Sequence, residues 1–337
     1  MKKIIKVING ENFSIPPIWM MRQAGRYLPE YRKIRARAES FLKLCQTPEL
    51  AAEITLQPIH RFHLDAAIIF SDILIIPYVL GRDLRFEEKR GPIMPPITMK
   101  EIIKLDTKHA MERLSFSFET IEKVKSKIDD QTAIIGFCGA PWIVASYMIA
   151  GKSPFDQGPA RLFSYFHPDL MQIFLENLAD ISADYLIQQV NSGADILQIF
   201  DNCSGVDQRS FEKLCLQPVR RMINKIKKIH PRIPIIGFPR GAGLFYKNYG
   251  EKTGVTVLGL DWTIPLSFAK KLQNKIIIQG NLDPLRLVAG GDALYKGIHA
   301  ILRTLKKKPF IFNLGHGITP NTPIKHVEQM INCIRGK

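Results

Sequence analysis

Eight short apolar runs, each closed by polar residues, set the tightest limit on how this chain can fold. They are PIWMM (17–21), AAIIF (66–70), AIIGF (133–137), ILQIF (196–200), PIIGF (234–238), VTVLGL (255–260), KIIIQ (275–279) and FIFNL (310–314). A strand covered on both faces reads as a continuous apolar run, whereas a strand with one wet face alternates. These runs are mostly continuous. Between them lie segments of helical period, most clearly Leu170, Ile173, Phe174, Leu178, Ile181, Tyr185 and Gln189, with Pro168 at the start and Gly193 just past the end. Strand and helix alternating in this way, with no linker, predict an α/β fold: a single (β/α)8 barrel over residues 1–337. The interval 75–97 breaks the pattern. Its RDLRFEEKRGPIMPP, with a Gly-Pro turn, predicts a β-hairpin inserted after the second strand. The rival architecture, an open doubly wound sheet, needs a phosphate-binding glycine fingerprint after an early strand, and the sequence has none.

Ordinary usage, 46% apolar and 23% charged, excludes a disordered or fibrous chain. No apolar run approaches the roughly 18 residues of a membrane-spanning helix. MKKIIKVINGENF begins like an export signal, but Lys6 and Asn9 interrupt it and no small-residue cleavage site follows, so a cytoplasmic protein is expected. Cys45, Cys138, Cys203, Cys215 and Cys333 form no C-x-x-C and no zinc-type spacing with histidine, and they read as reduced thiols. His60 and His63 have no third ligand beside them in sequence. No metal is expected.

The charge is lopsided, with 47 Lys+Arg against 31 Asp+Glu, a net +16. Nucleic acid, an anionic membrane or a heavily acidic small substrate would each suit it. KIKKIHPR (225–232) and LKKKP (305–309) close helical patterns, where cations complement the helix dipole. No nucleic-acid fingerprint accompanies them.

A barrel's active site lies at the C-terminal ends of its strands. Here those ends carry Arg22-Gln23-Ala24-Gly25-Arg26, Ser71-Asp72, Cys138-Gly139-Ala140-Pro141, Asp201-Asn202, Pro239-Arg240-Gly241, Asp261-Trp262, Gly280-Asn281-Leu282-Asp283 and Gly315-His316-Gly317. The opposite ends carry far fewer such residues, which favours an enzyme. Arg22 and Arg26 would share one face if the chain turned helical there, ready to grip carboxylates bidentately or, alternatively, to pair with Glu30. Asp72 calls for a partner, either one of those arginines or a ligand whose N–H groups or developing positive charge it would stabilise. His316 sits between two glycines in a loop that can bend tightly. Tyr147 belongs either to the core or to the mouth. No nucleophile with an adjacent base and no strand-end Schiff-base lysine emerges, so the set suits electrostatic handling of a polyanion.

PPIWMMRQAGRYLPEYR (16–32) and GFCGAPWIVASYMIAG (136–151) resemble the two signatures of the uroporphyrinogen decarboxylases. LDAAIIFSDIL (64–74), GLDW (259–262), QGNLDP (279–284) and FNLGHGI (312–318) are similar as well, in order along nearly the whole chain. The resemblance implies a barrel that converts the four acetate arms of uroporphyrinogen III to methyls, giving coproporphyrinogen III, with no metal or organic cofactor and commonly as a homodimer. It implies substrate contacts at Arg22, Gln23, Ala24, Gly25, Arg26, Asp72, Tyr147, Asn202 and His316. Asp72 would accept the pyrrole N–H groups, and Arg22 and Arg26 would share in catalysis. The chain departs from the family at Asn202 (usually Ser or Thr), Cys203 (often a bulky aromatic), Ile143 (Thr) and Arg240 (Lys). Two other readings are a zinc-dependent corrinoid methyltransferase, which would need an H-x-C that is absent, and a non-catalytic tetrapyrrole binder.

Overall fold

The computed structural model describes residues 1–87, 90–153 and 156–337. Its strands are β1 (Ala66–Ile68), β2 (Arg85–Glu87), β3 (Gly91–Ile93), β4 (Ala133–Gly139), β5 (Ile196–Asn202), β6 (Ile235–Arg240), β7 (Val257–Gly259), β8 (Ile277–Leu282) and β9 (Phe310–Leu314). Seven form a parallel sheet in the order β1-β4-β5-β6-β7-β8-β9, with helices between successive strands. β2 and β3 pair antiparallel as the expected hairpin, whose central residues Glu88 and Lys89 lie outside the described residues. The same interval opens with a short helix, Ile75–Val79.

The first apolar run closes the curled sheet without becoming a strand. Ile18 bridges Phe312 of β9 in parallel, and on its other side its carbonyl accepts the Asp65 N–H at 2.9 Å. The Ile318 N–H donates to the Met21 carbonyl at 2.9 Å, and side chains add further hydrogen bonds. The Ile18 N–H donates to the Asp65 carboxylate at 2.8 Å, Met21 N–H to Asn313 Oδ1 at 3.1 Å, and Gln23 Nε2 to the Ala66 carbonyl at 3.0 Å. Pro16 and Pro17 have no N–H to offer a ladder, which is why pairing here is so short. The other seven runs are all strands, and β9 matches its run at both ends.

Alternate residues on the strands line the barrel interior. Ile68, Ile135, Phe137, Ile196, Ile236, Phe238, Val257 and Ile311 form one buried cluster with Trp19, and Ile4, Val7 and Ile8 of the first helix (Lys3–Ile8) join it and cap one end. The signal-like N-terminus is therefore a structural plug. Gln198 and Gln279 lie within this apolar interior; the Trp19 indole N–H donates to Gln279 Oε1 at 2.9 Å, and Gln279 Nε2 reaches Gln198 Oε1 at 3.4 Å. A larger cluster, which includes Leu178, Ile199, Cys203, Cys215 and Tyr249, fills the layer between the sheet and the helices. No described helix is long and apolar enough to cross a membrane.

Candidate active site

The period of two along a strand sorts the strand-end residues into two sets. On β5 the interior positions continue from Ile196 and Gln198 to Asn202, and on β6 from Ile236 and Phe238 to Arg240, its register partner. Asn202 and Arg240 thus face the barrel mouth. Asp201, one residue earlier, belongs with Leu197 and Ile199 on the helix-facing side and is buried there. Its expected place on the rim is corrected by this alternation.

Arg22 adopts a left-handed backbone with φ 60°, rare for a side chain of this kind. Residues 22–26 are therefore a pair of turns rather than a helix, and the next helix, Pro29–Arg37, starts too late to align the arginines on one face. Both arginines are exposed, and among the described residues neither has a carboxylate within salt-bridge distance. Glu30, the alternative partner, is held bidentately by Arg61 at 2.8 and 3.0 Å. Gln23 is fully buried and its amide is spent on Met20 N–H and the Ala66 carbonyl, so its side chain builds the wall. The backbone N–H groups of Ala24 and Gly25 donate to no described residue, which leaves them open to a carboxylate.

Arg22 reaches toward the loop after β9. A Cβ at position 317 would overlap its Cδ, and a Cβ at 315 would overlap the Trp262 backbone. The glycines flanking His316 therefore serve close approach, and neither has a positive φ. This corrects the expected tight bend. The half-buried His316 ring stacks on Trp262, with centroids 6.0 Å apart and planes at 26°, while the Arg240 guanidinium lies 5.5 Å from the Trp262 ring. Burial first, then the charges of Arg22 and Arg240, push the His316 pKa down to about 3. Its imidazole is neutral at pH 7, with one donor and one acceptor nitrogen.

Asp72 follows β1 at the start of a short turn, partly buried. One carboxylate oxygen accepts the Leu74 N–H at 2.8 Å, and no described cation pairs with the group. Burial pushes its pKa up, with the Leu74 hydrogen bond and the Arg22 charge pulling the other way. Tyr147, on the helix Pro141–Ala150, is half-buried and donates to Ser153 Oγ at 3.3 Å. Its helix and the Asp72 segment meet at Gly139, where an added Cβ would press on Val144 and Ile73. No hydrogen bond joins Tyr147 to Asp72, Asn202 or His316. Asn202 Oδ1 accepts both the backbone N–H and the hydroxyl of Ser204, at 3.2 and 2.8 Å, which leaves its N–H2 as the free face.

Asp261 is different. It accepts Gly241 N–H at 2.8 Å, Tyr246 O–H at 3.0 Å, Thr263 N–H at 2.9 Å and the Thr263 hydroxyl. Asn281 donates to the Asp261 and Ile264 carbonyls, and Asp283 caps the helix Pro284–Ala289, so the QGNLDP string is structural. Sequence reasoning placed Trp262 and Arg240 on the rim without giving them a role; a tryptophan directly after a strand-end aspartate was the available signal. Two outer clefts of about 520 and 680 Å³ lie elsewhere, lined by residues such as Asp180, Arg221 and Lys225 or Asp207, Glu212 and Lys252. None of the strand-end arginines, Asp72 or His316 lines them, and the site is assigned on its chemistry.

A family model described as uroporphyrinogen decarboxylase (URO-D) matches residues 1–336. The chain is 56% identical to a uroporphyrinogen decarboxylase of Brucella canis over 336 residues, covering 99% of this chain and 98% of the relative. It is 57% identical to one from Brucella melitensis biotype 2 over 335 residues, with the same coverage. Among solved structures, a methyltransferase from Methanosarcina mazei superposes with a TM-score of 0.82 at 17% identity, covering 99% of this chain and 97% of that one. A B12-independent methionine synthase from a Shewanella species gives 0.55 at 10% identity, over 86% and 88% of the two chains. At these identities the solved structures speak for the fold alone.

Proposed function

The chain belongs to the uroporphyrinogen decarboxylase family, and on that premise we propose how its mouth carries out the reaction. It is a carboxy-lyase of porphyrin biosynthesis that converts the four acetate arms of uroporphyrinogen III to methyls, giving coproporphyrinogen III. Each step exchanges CO2 for one proton. A pyrrole acetate gives up CO2 with difficulty until its ring is protonated at carbon. The ring cation then accepts the electron pair of the breaking C–C bond. The exocyclic CH2 next takes up a proton to become CH3, and the ring carbon returns the proton it had borrowed.

The observation that supports this reading is the unspent oxygen of Asp72 beside arginines without ion-pair partners. Asp72 accepts the pyrrole N–H groups and stabilises the ring cation, a preorganised electrostatic role. Arg22 and Arg26, with the Ala24 and Gly25 amides, bind substrate carboxylates and hold the proton source, either a water or a substrate carboxyl. His316 is neutral and offers a hydrogen bond rather than an acidic proton. Asn202 donates its N–H2 to a carboxylate, and the Tyr147 hydroxyl reaches the same ligand. The substrate carries eight carboxylates, which accounts for a cationic mouth and for the net charge. The enzyme acts without metal or organic cofactor, in the cytoplasm and as a homodimer.

Anaerobic incubation with uroporphyrinogen III, followed by chromatography of the oxidised products, tests the reading. Coproporphyrin, preceded by partly decarboxylated species, is the expected outcome, undiminished after exhaustive chelation. Unchanged uroporphyrin would overturn the activity. Stoichiometric metal whose removal abolished turnover would overturn the cofactor-free mechanism.

A further inference from the structure

Behind the mouth, on the helix-facing side of β5, Asp201 meets two thiols. Cys203 follows β5 directly, and Cys215 lies in a π-helical turn, Phe211–Leu216. A carboxylate oxygen of Asp201 and the two sulfurs all lie within 4.8 Å of one another, and the three residues are buried. Asp201 Oδ1 accepts the Asn202 N–H at 2.9 Å, but Oδ2 is buried with no hydrogen-bond partner among the described residues. Tyr249, in the same core layer, also has a buried hydroxyl without a partner. Buried polar atoms left unsatisfied are few in native proteins and call for a cause, and π-helical turns recur at functional sites.

We propose that Asp201, Cys203 and Cys215 form a binding site for a thiophilic divalent cation, zinc being the best chemical fit, and that filling it inhibits the enzyme. Zinc takes cysteine sulfur at about 2.3 Å and carboxylate oxygen at about 2.0–2.2 Å in a tetrahedron, which sets its donors about 3.3–3.8 Å apart. The three donors, within 4.8 Å of one another, draw in to reach that spacing. Binding expels the two thiol protons, and the Asp201 carboxyl proton where it is held, to solvent; no electron moves. The fourth position is left for a water. Cys203 and Cys215 are twelve residues apart with no histidine between them, which is why no metal motif is visible in the sequence.

The link to activity is a short stretch of backbone. The Cys203 N–H donates to the Arg240 carbonyl at 2.7 Å, and Ser204 holds Asn202 Oδ1. Pulling Cys203 toward a metal shifts the turn that positions both mouth residues. This inhibitory half rests on the function proposed above; the binding half does not.

The reduced full-length chain, stripped of metal, is titrated with cadmium alone, and zinc then competes for the site. A sulfur-to-cadmium charge-transfer band saturating at one ion per chain is expected, with release of about two to three protons per ion. The band should be lost in Cys203→Ser and in Cys215→Ala and kept in Cys333→Ser. Asp201→Asn should keep the band but bind about tenfold or more weakly. One equivalent of zinc should cut kcat/KM at least tenfold in the wild type and leave Cys215→Ala, active without zinc, unaffected. Circular dichroism checks each variant's fold, and Cys215→Ala carries the test if Cys203→Ser does not fold. An undiminished band in Cys215→Ala, or a Cys203–Cys215 disulfide formed in place of a metal complex, overturns the site. Tight binding with unchanged turnover overturns the inhibition. A chain that bound cadmium but did not decarboxylate would instead overturn the proposed function.

Discussion

Two aspartates stand beyond the ends of parallel strands, Asp72 past β1 (Ala66–Ile68) and Asp261 past β7 (Val257–Gly259). Asp261 receives four hydrogen bonds from Gly241, Tyr246 and Thr263, and its lone pairs are fully used in tying β6, β7 and the helix Tyr246–Lys252 together. Asp72 receives one, from Leu74, and keeps an oxygen free. In sequence the two look alike. What separates the two is how much hydrogen-bonding capacity the fold leaves unspent. The same distinction divides the arginine loop: Gln23 is consumed by the wall, whereas Arg22, Arg26 and the Ala24 and Gly25 amides are not.

The sharpest way to break this contrast is the same exchange at both sites. Asp72→Asn should lower kcat on the order of 10²–10³-fold, the usual loss for a preorganised electrostatic partner. Its melting temperature should hold or rise. Burial sets the folded pKa of Asp72 above its unfolded value, so ionisation costs stability as pH climbs through that interval, and the amide removes the cost. Asp261→Asn should do the reverse, losing about 1–3 kcal/mol of stability for each donor left unmet while the folded fraction keeps its kcat. Equal activity losses in the two folded variants would erase the distinction. Arg22→Lys and Arg26→Lys come next. Each keeps the charge and loses the planar fork, so steady-state kinetics should show kcat/KM down about tenfold or more. Wild-type values for both would return the arginines to the solvated surface.

Asn202 gives a smaller effect and a finer one. Losing a hydrogen bond to a charged group costs roughly 1.5–3 kcal/mol, about ten- to a hundredfold in binding. Asn202→Ala should show that loss in KM, and Asn202→Ser should recover most of it through a bridging water. Asn202→Asp should fall below Ala, because it sets a negative charge against a polyanion. An Asp variant as good as Ala would remove Asn202 from the site. The smallest effect concerns acid stability. His316 stays neutral in the fold down to about pH 3, while an unfolded histidine protonates near 6.5. It therefore costs stability as pH falls through that window, and His316→Asn should melt less acid-sensitively than wild type between pH 6 and 4.

Much of this was legible because two periodicities were. Continuous apolar runs located seven strands, and the helix with the clearest stripe spans Pro168–Asn191, as its proline and glycine foretold. The eighth run misled because tertiary side chains, Asp65 and Asn313, stand in for ladder partners that lie far away in sequence. The i, i+4 spacing of Arg22 and Arg26 suggested a helix, and the left-handed backbone at Arg22 overrode it. His316 between glycines was noticed for the wrong reason: bending was expected, while crowding by Trp262 and Arg22 is the cause. Asp201 was placed on the rim because strand ends were read as units, although a period of two sends neighbours to opposite faces. Its meeting with Cys203 and Cys215 depends on a non-local packing that no spacing rule encodes.

The closure of the barrel at residues 17–21 has a consequence for its motions. A seam fastened by one parallel bridge, two further backbone hydrogen bonds and a handful of side chains is where a closed sheet loosens first, and this seam runs straight into the arginine turn. A polyanion held by the arginine turn and by the His316 loop after β9 would fasten both sides of the seam at once. Occupancy of the mouth and integrity of the cylinder are then thermodynamically linked: substrate slows amide exchange at Ile18 and Met21, and any change that frays the seam weakens substrate by the same free energy.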